Sequence, residues 1–491
     1  MGSEASRHHR PGTARPGTAR PGTARSGGAR SGGAGSGEEK ATRRRRRSAG
    51  IAASAAAVLT VSLATACGSD SGGTVLSFYT AADGAEQYAE SAQVCTEAAN
   101  GRYRIEQRTL PKGADDQRLQ LARRLTGDDR TLDIMTLDVV WTAEFAEAGW
   151  ALPLPDDLAA QVSDGTLAGP LESATWNDRL YAAPLNTNTQ LLWYRKDLMP
   201  DGQPPQTWDQ MIDIAEGLAD EGRPSWIGAT GRQYEGLMVW FNTLLASAGG
   251  SVVADDGTTV TLADGDAAER ALDIMKRVAT ARGADPSLNN NDEAAVRLGM
   301  EAGNSAFEVN WPFVLPGIIE NAEAGALPFV DDQGRVTSQN TGNTVLTVNG
   351  EQNFLPAPYP EVVPGQPAKV TIGGFNIAVA QTSQHPDLAF EAIACLRNED
   401  NQRNNAVAGG VPPTLESLYD DPAFQESYPA WREVRASLDN AAVRPVSPAY
   451  QSISTLITAS LNPVDRIDPA TEVDELAEQV RKAVNSEGLI P

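Results

Sequence analysis

Carboxylate and amide side chains follow predicted strands at three points of the chain. Asp83 and Asp138 each come directly after an apolar run, and Asn188 comes after a later one. Carboxylates accept charge-assisted hydrogen bonds, whereas an amide both donates and accepts. These residue types therefore suit the binding of a polar ligand. Taken alone, Asp138 is more typical of a helix N-cap, and Asp83 is more typical of a turn.

The elements that precede these residues alternate between strand and helix. Apolar runs predict buried strands and helical periodicity predicts helices in the order 75–79, 85–99, 103–109, 115–125, 132–137 and 140–148, with a further strand over 180–185. This βαβαβα order predicts a parallel sheet with helical crossovers. Because ligands of such sheets bind beyond the C-terminal strand ends, Asp83, Asp138 and Asn188 are expected at one edge.

Helices dominate the rest of the chain. They are predicted at 208–221, 235–248, 267–280, 293–302, 386–398, 421–436, 447–461 and 471–486. A long strand is predicted over 369–379, and the pair Gly373-Gly374 interrupts it. Glycine inside a strand permits a bend or the close approach of a ligand.

Cys67 closes an apolar stretch, 49–66, that follows five consecutive arginines at 43–47. A basic segment, an apolar segment and small residues before a cut are typical of a secretory signal. The run Ser62–Cys67 resembles a bacterial lipobox, in which the cysteine is acylated and begins the mature chain. An ordinary signal peptide or a spanning helix is the alternative, but a spanning helix needs about 20 strongly apolar residues. We expect lipidation of Cys67.

The charge of the chain divides at the same point. Residues 1–66 hold 12 of the 40 basic residues and three of the 64 acidic residues, which leaves a net charge of −33 for 67–491. The low-complexity repeats of 1–66 predict a disordered basic leader, followed by a lipid-anchored linker at 67–73. The acidic remainder argues against a nucleic-acid partner. Membrane attachment would depend on the lipid.

Two further cysteines, Cys95 and Cys395, lie in the exported part. In an exported protein an even pair predicts a disulfide, and two buried thiols are the alternative. Residues 67–491 are too many for one core, so two or three domains are expected.

Six runs of sequence resemble a known family. They are 120–154, 188–195 (NTQLLWYR), 239–252 (VWFNTLLASAGGSV), 308–313 (EVNWPF), 364–376 (PGQPAKVTIGGFN) and 441–451 (AAVRPVSPAYQ). The chain from 74 to 491 is similar to the maltose-binding-like extracellular solute-binding proteins of ABC importers, and within them to trehalose-binding lipoproteins.

The resemblance implies an α/β, two-lobed periplasmic-binding-protein-like fold of type II, with the ligand cleft between the lobes. The first lobe would comprise 74–186 and 375–412, and the second 187–374 and 413–491. The chain would cross between them near 185–189, 370–376 and 410–415. Cys95 and Cys395 would then share the first lobe.

The resemblance also implies a set of ligand-binding residues: Asp83, Asp138, Asn188, Glu293, Trp311, Gly374, Phe375 and Arg444. The carboxylates would accept sugar hydroxyls, the amide and guanidinium would donate, and the indole would cover a sugar CH face. The implied ligand is trehalose or a close disaccharide. The implied partners are ABC permease subunits with a cytoplasmic ATPase, and no cofactor is expected.

An enzyme is the alternative class. Two acids that flank a sugar are also the apparatus of a glycoside hydrolase. The sequence offers neither a metal cluster nor a nucleophile elbow, since His8 and His9 lie in the leader and His385 precedes a proline. A structural or adhesive surface lipoprotein is the third class, and it would show no saturable sugar binding.

Overall fold

The structure is a computed structural model that describes residues 73–82, 84–323, 327, 335–337, 344–348 and 351–487. Cys67 and Asp83 lie outside the described residues. The strands of the described part are β1 Thr74–Thr80, β2 Tyr103–Thr109, β3 Ile134–Asp138, β4 Thr175–Trp176, β5 Arg179–Leu180, β6 Ala183–Asn188, β7 Leu191–Arg195, β8 Trp226–Gly228, β9 Ser305–Asn310, β10 Arg335–Thr337, β11 Thr344–Val348, β12 Glu351–Gln352, β13 Phe354–Ala357 and β14 Gly373–Val379.

The helices of the described part cover most of the remaining chain. They are α1 Ala85–Ala98, α2 Ala114–Thr126, α3 Thr142–Glu147, α4 Asp156–Ser163, α5 Ala168–Ser173, α6 Trp208–Asp220, α7 Glu235–Ser247, α8 Ala267–Thr280, α9 Glu293–Glu301, α10 Val314–Glu323, α11 Pro386–Leu396, α12 Glu399–Gly409, α13 Glu416–Asp420, α14 Pro422–Ser427, α15 Trp431–Asp439, α16 Tyr450–Leu461 and α17 Pro469–Val484.

The first large sheet has the strand order β2-β1-β3-β14-β6. Strand β1 pairs in parallel with β2 and β3, as the alternating pattern predicts. Strand β14 pairs antiparallel with both β3 and β6, so the sheet is mixed rather than wholly parallel. Strands β1, β2, β3 and β6 therefore run in one direction, as predicted, and β14, which comes from a distant part of the chain, lies antiparallel between β3 and β6.

The second large sheet has the strand order β13-β7-β9-β8. Consecutive strands β6 and β7 lie in different sheets, and so do β13 and β14. Each sheet forms the centre of one lobe, and we call these the first and second lobes. The predicted boundaries of the lobes along the chain stay a prediction.

Near residue 412 the chain contacts the first sheet and then continues into the second lobe. The Thr187 N–H donates to the Pro412 carbonyl at 3.0 Å, next to the end of β6. A few residues later, Phe424 joins an apolar cluster with Trp193 of β7 and Phe354 of β13. Residues 412–424 thus lead from the edge of the first sheet into the core of the second lobe.

A disulfide joins α1 to α11 beneath the first sheet. Cys95 and Cys395 are bonded, as the sequence predicts, and their Cα atoms are 5.8 Å apart. Cys95 is fully buried in an apolar cluster with Phe78 of β1 and Ile377 of β14. The bond therefore fastens two helices that are 300 residues apart in sequence to one core.

The second lobe is built largely from helices. Helix α7 is buried on almost every side, which its nearly continuous apolar sequence requires, and it contacts α8 and α16. The Thr207 hydroxyl accepts the Gln210 N–H and caps α6. No helix of the described residues is long and apolar enough to cross a membrane.

Candidate ligand-binding site

Arg444 is the centre of a buried charge cluster. Its guanidinium donates from Nη1 to Glu235 Oε1 at 2.6 Å and from Nη2 to Asp138 Oδ1 at 2.9 Å. The Arg444 side chain is only 2% exposed, and those of Asp138 and Glu235 are 15% and 6% exposed. Asp138 ends β3 in the first lobe, whereas Glu235 begins α7 in the second. The cluster therefore joins the two lobes.

Glu235 is held by donors on both carboxylate oxygens. The Tyr450 hydroxyl donates to Oε1, and the Ser454 hydroxyl donates to Oε2 at 2.6 Å. Burial raises the pKa of Glu235 to about 7, although Arg444 acts in the opposite direction. Burial alone would lower the pKa of Arg444, but the charge of Asp138 and the groups around Glu235 raise it overall. Arg444 is thus a permanent cation between two acids.

Arg444 retains hydrogen-bonding capacity. Its Nε is buried and has no hydrogen-bond partner among the described residues. A buried donor that is left unpaired costs about 1–3 kcal/mol. This N–H is therefore suited to an acceptor on a ligand.

Asp138 has a local role as well as an interlobe one. Its Oδ1 accepts the backbone N–H of Val140 at 3.2 Å, which orders the turn after β3. Helix α3 begins only at Thr142 and is preceded by Trp141, so Asp138 is not its N-cap. The helix-cap alternative is wrong, and the same Oδ1 also accepts the hydrogen bond from Arg444.

Asn188, Gly373 and Trp311 meet where β6 ends and β14 begins. Asn188 is the register partner of Gly373. A Cβ atom added to Gly373 would lie 2.7 Å from Cη2 of Trp311 and 3.3 Å from Cβ of Asn188. The indole therefore lies against bare backbone, and any side chain at position 373 would displace it.

The backbone conformation at position 374 requires a glycine. Its φ of +117° disfavours other residues, and an added Cβ would lie 2.4 Å from the Asn186 carbonyl oxygen. The Gly374 carbonyl accepts the Val139 N–H at 3.3 Å, and the next residue, Phe375, is the register partner of Asp138. Gly374 and Phe375 thus hold β3 and β6 together behind the charge cluster. Their contact with a ligand stays a prediction.

Glu293 begins α9 and is linked to Trp311 through one side chain. The Asn310 amide donates to the Glu293 carbonyl at 3.0 Å and accepts the Trp311 N–H at 2.9 Å. Tyr234, which precedes α7, has a raised pKa because of burial and then because of the Glu293 carboxylate. Glu293, Trp311 and Tyr234 therefore belong to one region of the second lobe.

The structure brings most of the predicted residues to one edge of the first sheet. Asp138, Asn188, Gly374 and Phe375 all lie at the paired ends of β3, β6 and β14, and Arg444 and Trp311 reach this edge from other parts of the chain.

The ligand set inferred from the sequence does not include Glu235, Gly373, Tyr234 or Tyr450. The doublet Gly373-Gly374 was the available signal for Gly373. Tyr450 lay in the run 441–451 that resembles the family, but no local pattern marked its contact with a distant acid.

The arrangement combines fixed charges with an aromatic surface. Two carboxylates and a guanidinium offer charge-assisted hydrogen bonds, and the indole offers an apolar face. Such a site suits a polar ligand that also has CH faces.

Comparison with protein families decides the class. The family of bacterial extracellular solute-binding proteins matches residues 104–403, more than half of the chain. The chain belongs to this family. It is therefore a bacterial extracellular solute-binding protein, and members of this family bind solutes, in agreement with the prediction that the chain is not an enzyme.

Individual relatives resemble the chain along most of its length. A probable ABC transporter-binding protein of Deinococcus radiodurans is 24% identical over 363 residues, which are 72% of this chain and 79% of the relative. The maltose-bound MalE3 protein of T. maritima has a TM-score of 0.71 at 23% identity and covers 83% of this chain and 99% of its own.

A third relative shares the fold with a different ligand. UgpB of Mycobacterium tuberculosis, in complex with glycerophosphocholine, has a TM-score of 0.68 at 19% identity over 84% of this chain and 99% of its own. These likenesses confirm the two-lobed α/β fold.

Proposed function

We propose that this solute-binding protein captures trehalose or a close disaccharide between its lobes. The observation that carries the proposal is the position of Arg444, which bridges Asp138 of the first lobe and Glu235 of the second. A ligand that hydrogen-bonds to this cluster contacts both lobes, and such contacts favour closure around it.

The chemistry of the site supports a neutral sugar. One cation between two acids leaves the cluster without an excess positive charge that would attract a phosphate or carboxylate ligand. Vicinal hydroxyls match carboxylate acceptors, and the Arg444 Nε supplies a further donor. We include Asp138, Asn188, Glu293, Trp311, Gly374, Phe375 and Arg444, together with Asp83, in the proposed ligand set.

The proposed partners follow from the family. Delivery requires ABC permease subunits driven by a cytoplasmic ATPase, and a lipid on Cys67 would keep the protein near them. The net charge of −33 for residues 67–491 supports attachment through acyl chains rather than through attraction to anionic lipids.

A thermal-shift panel of trehalose, maltose, sucrose and glucose tests the ligand assignment. A ligand at 100 times its Kd stabilises a protein by about 2.7 kcal/mol. We expect trehalose to raise the melting temperature more than glucose does. An unchanged melting temperature with trehalose would refute the assignment.

The same preparation discriminates binding from hydrolysis. A binder releases no glucose from trehalose above background. Turnover that disappears in Asp138→Ala would favour the glycoside hydrolase instead.

A further inference from the structure

A second polar contact joins the lobes beside the charge cluster. Gln451 lies in α16 of the second lobe, next to Tyr450, which donates to Glu235. Its Nε2 donates to Oδ1 of Asp115 at 3.1 Å. Asp115 lies in the first turn of α2, which contacts β3 in the first lobe. The contact therefore connects residues that are 336 positions apart in sequence.

The orientation of the Gln451 amide reflects this interlobe contact. Within its own helix, Nε2 has only the longer contact of 3.4 Å to the Thr455 hydroxyl. Its Oε1 is buried and has no hydrogen-bond partner among the described residues. The amide thus leaves its acceptor unpaired, an unfavourable arrangement, while its donor reaches a carboxylate on the other lobe.

The contact is separate from the charge cluster. Arg444 bonds to Asp138 and Glu235, and neither Gln451 nor Asp115 is a partner of Arg444 among the described residues. An interlobe hydrogen bond that breaks when the lobes separate stabilises the closed form, and a more stable closed form slows ligand release.

We propose that Gln451 and Asp115 are a closing pair, whose hydrogen bond between the lobes determines how long the bound ligand is retained. They are positioning residues rather than members of the ligand set. The effect on retention rests on the proposed function, whereas the effect on lobe closure does not.

Exchanging the amide of Gln451 and the carboxylate of Asp115 tests whether their hydrogen bond controls ligand release. Gln451→Glu places two carboxylates against each other, so we expect sugar dissociation in stopped-flow experiments to accelerate about five- to tenfold. Adding Asp115→Asn regenerates an amide–carboxylate bond in the opposite direction and should restore the wild-type rate to within about twofold. The matched control is Gln451→Glu with Asp116→Asn, which removes the same charge one residue away and should leave dissociation fast.

Small-angle scattering of the same variants without sugar separates this proposal from the sugar assignment. The radius of gyration should increase in Gln451→Glu and return in the double variant with Asp115→Asn. If no sugar binds wild-type protein, the sugar assignment fails and scattering alone decides the pair. An unchanged radius and an unchanged dissociation rate in Gln451→Glu, or equal rescue by Asp116→Asn, would overturn the closing pair.

Discussion

At the scale of single residues, the site depends on a cation that cannot change its charge. Arg444 is buried between Asp138 and Glu235, and its own pKa is raised by them. Removing one partner of a buried ion pair leaves an uncompensated charge and is more costly than losing an exposed pair. Changes at Asp138 or Glu235 should therefore affect both binding and stability.

The raised pKa of Glu235 predicts a specific pH dependence. Because the folded-state pKa is about 7 against an ordinary value of 4.5, the protein binds this proton more tightly when folded. The stabilisation is present below the ordinary pKa and is lost as the pH rises through 7. Relative to Glu235→Gln, wild-type protein should lose up to about 3 kcal/mol between pH 5 and 8.

Thermal unfolding of both proteins across this range measures the difference. The comparison also cancels the similar effect of Glu308, a buried acid whose pKa burial raises to about 8. A difference in stability that stays constant with pH, or that grows in favour of wild-type protein, would contradict the assignment.

A substitution at Gly373 tests whether the Trp311 indole contacts the ligand. An added methyl group at 2.7 Å from Trp311 must displace the indole. Gly373→Ala should weaken sugar binding at least about tenfold while the protein remains folded. Calorimetry measures the affinity, and circular dichroism checks the fold.

Gly217→Ala is the matched control, since the space around this position in α6 is open. It should leave affinity unchanged. Equal affinity for Gly373→Ala and Gly217→Ala would show that Trp311 does not contact the ligand.

At the scale of elements, the sequence predicts the position of a helix or strand well where the pattern that defines it is local. Strand β1, helix α1 and strand β2 lie within a few residues of their predicted positions, because burial and periodicity define them. The helix predicted over 421–436 is instead two helices, α14 and α15, and Pro429 lies between them. Proline disfavours helix at the residue before it and in a helix interior.

Contacts between segments that are far apart in the chain could not be predicted from local sequence patterns. The strand predicted from 369 begins only at Gly373, because Thr371 is hydrogen-bonded to Asn242 and Thr243 of α7 in the second lobe. The antiparallel direction of β14 likewise depends on contacts with β3 and β6. The candidate site shows the same limit, since Glu235 is defined by its neighbours Arg444 and Tyr450 rather than by a motif.

The disulfide between Cys95 and Cys395 links helix α1 to helix α11. It closes a loop of 300 residues, so its removal should increase the entropy of the unfolded chain. Cys95→Ala with Cys395→Ala should lower stability by about 2–5 kcal/mol and leave sugar affinity nearly unchanged. Denaturant unfolding with and without reductant measures this effect. Identical curves for wild-type protein with and without reductant would contradict it.

At the scale of the whole molecule, separate parts of the chain have separate proposed tasks. The lobes bind the solute, and Cys67, which lies outside the described residues, is the proposed point of attachment. Cys67→Ala should move the exported protein from the membrane fraction to the soluble fraction and leave sugar binding intact, since the cysteine is not in the ligand set. Equal membrane association of both proteins would contradict the anchor alone.

The joining of the two lobes by a ligand is the central claim, and titration calorimetry with trehalose tests it most directly. We predict saturable heat with one site per chain for wild-type protein. We predict no detectable binding for Asp138→Ala, because the variant loses the acceptor of the first lobe while its circular dichroism remains that of a folded protein. No heat with wild-type protein, or equal affinity in Asp138→Ala, would contradict the account.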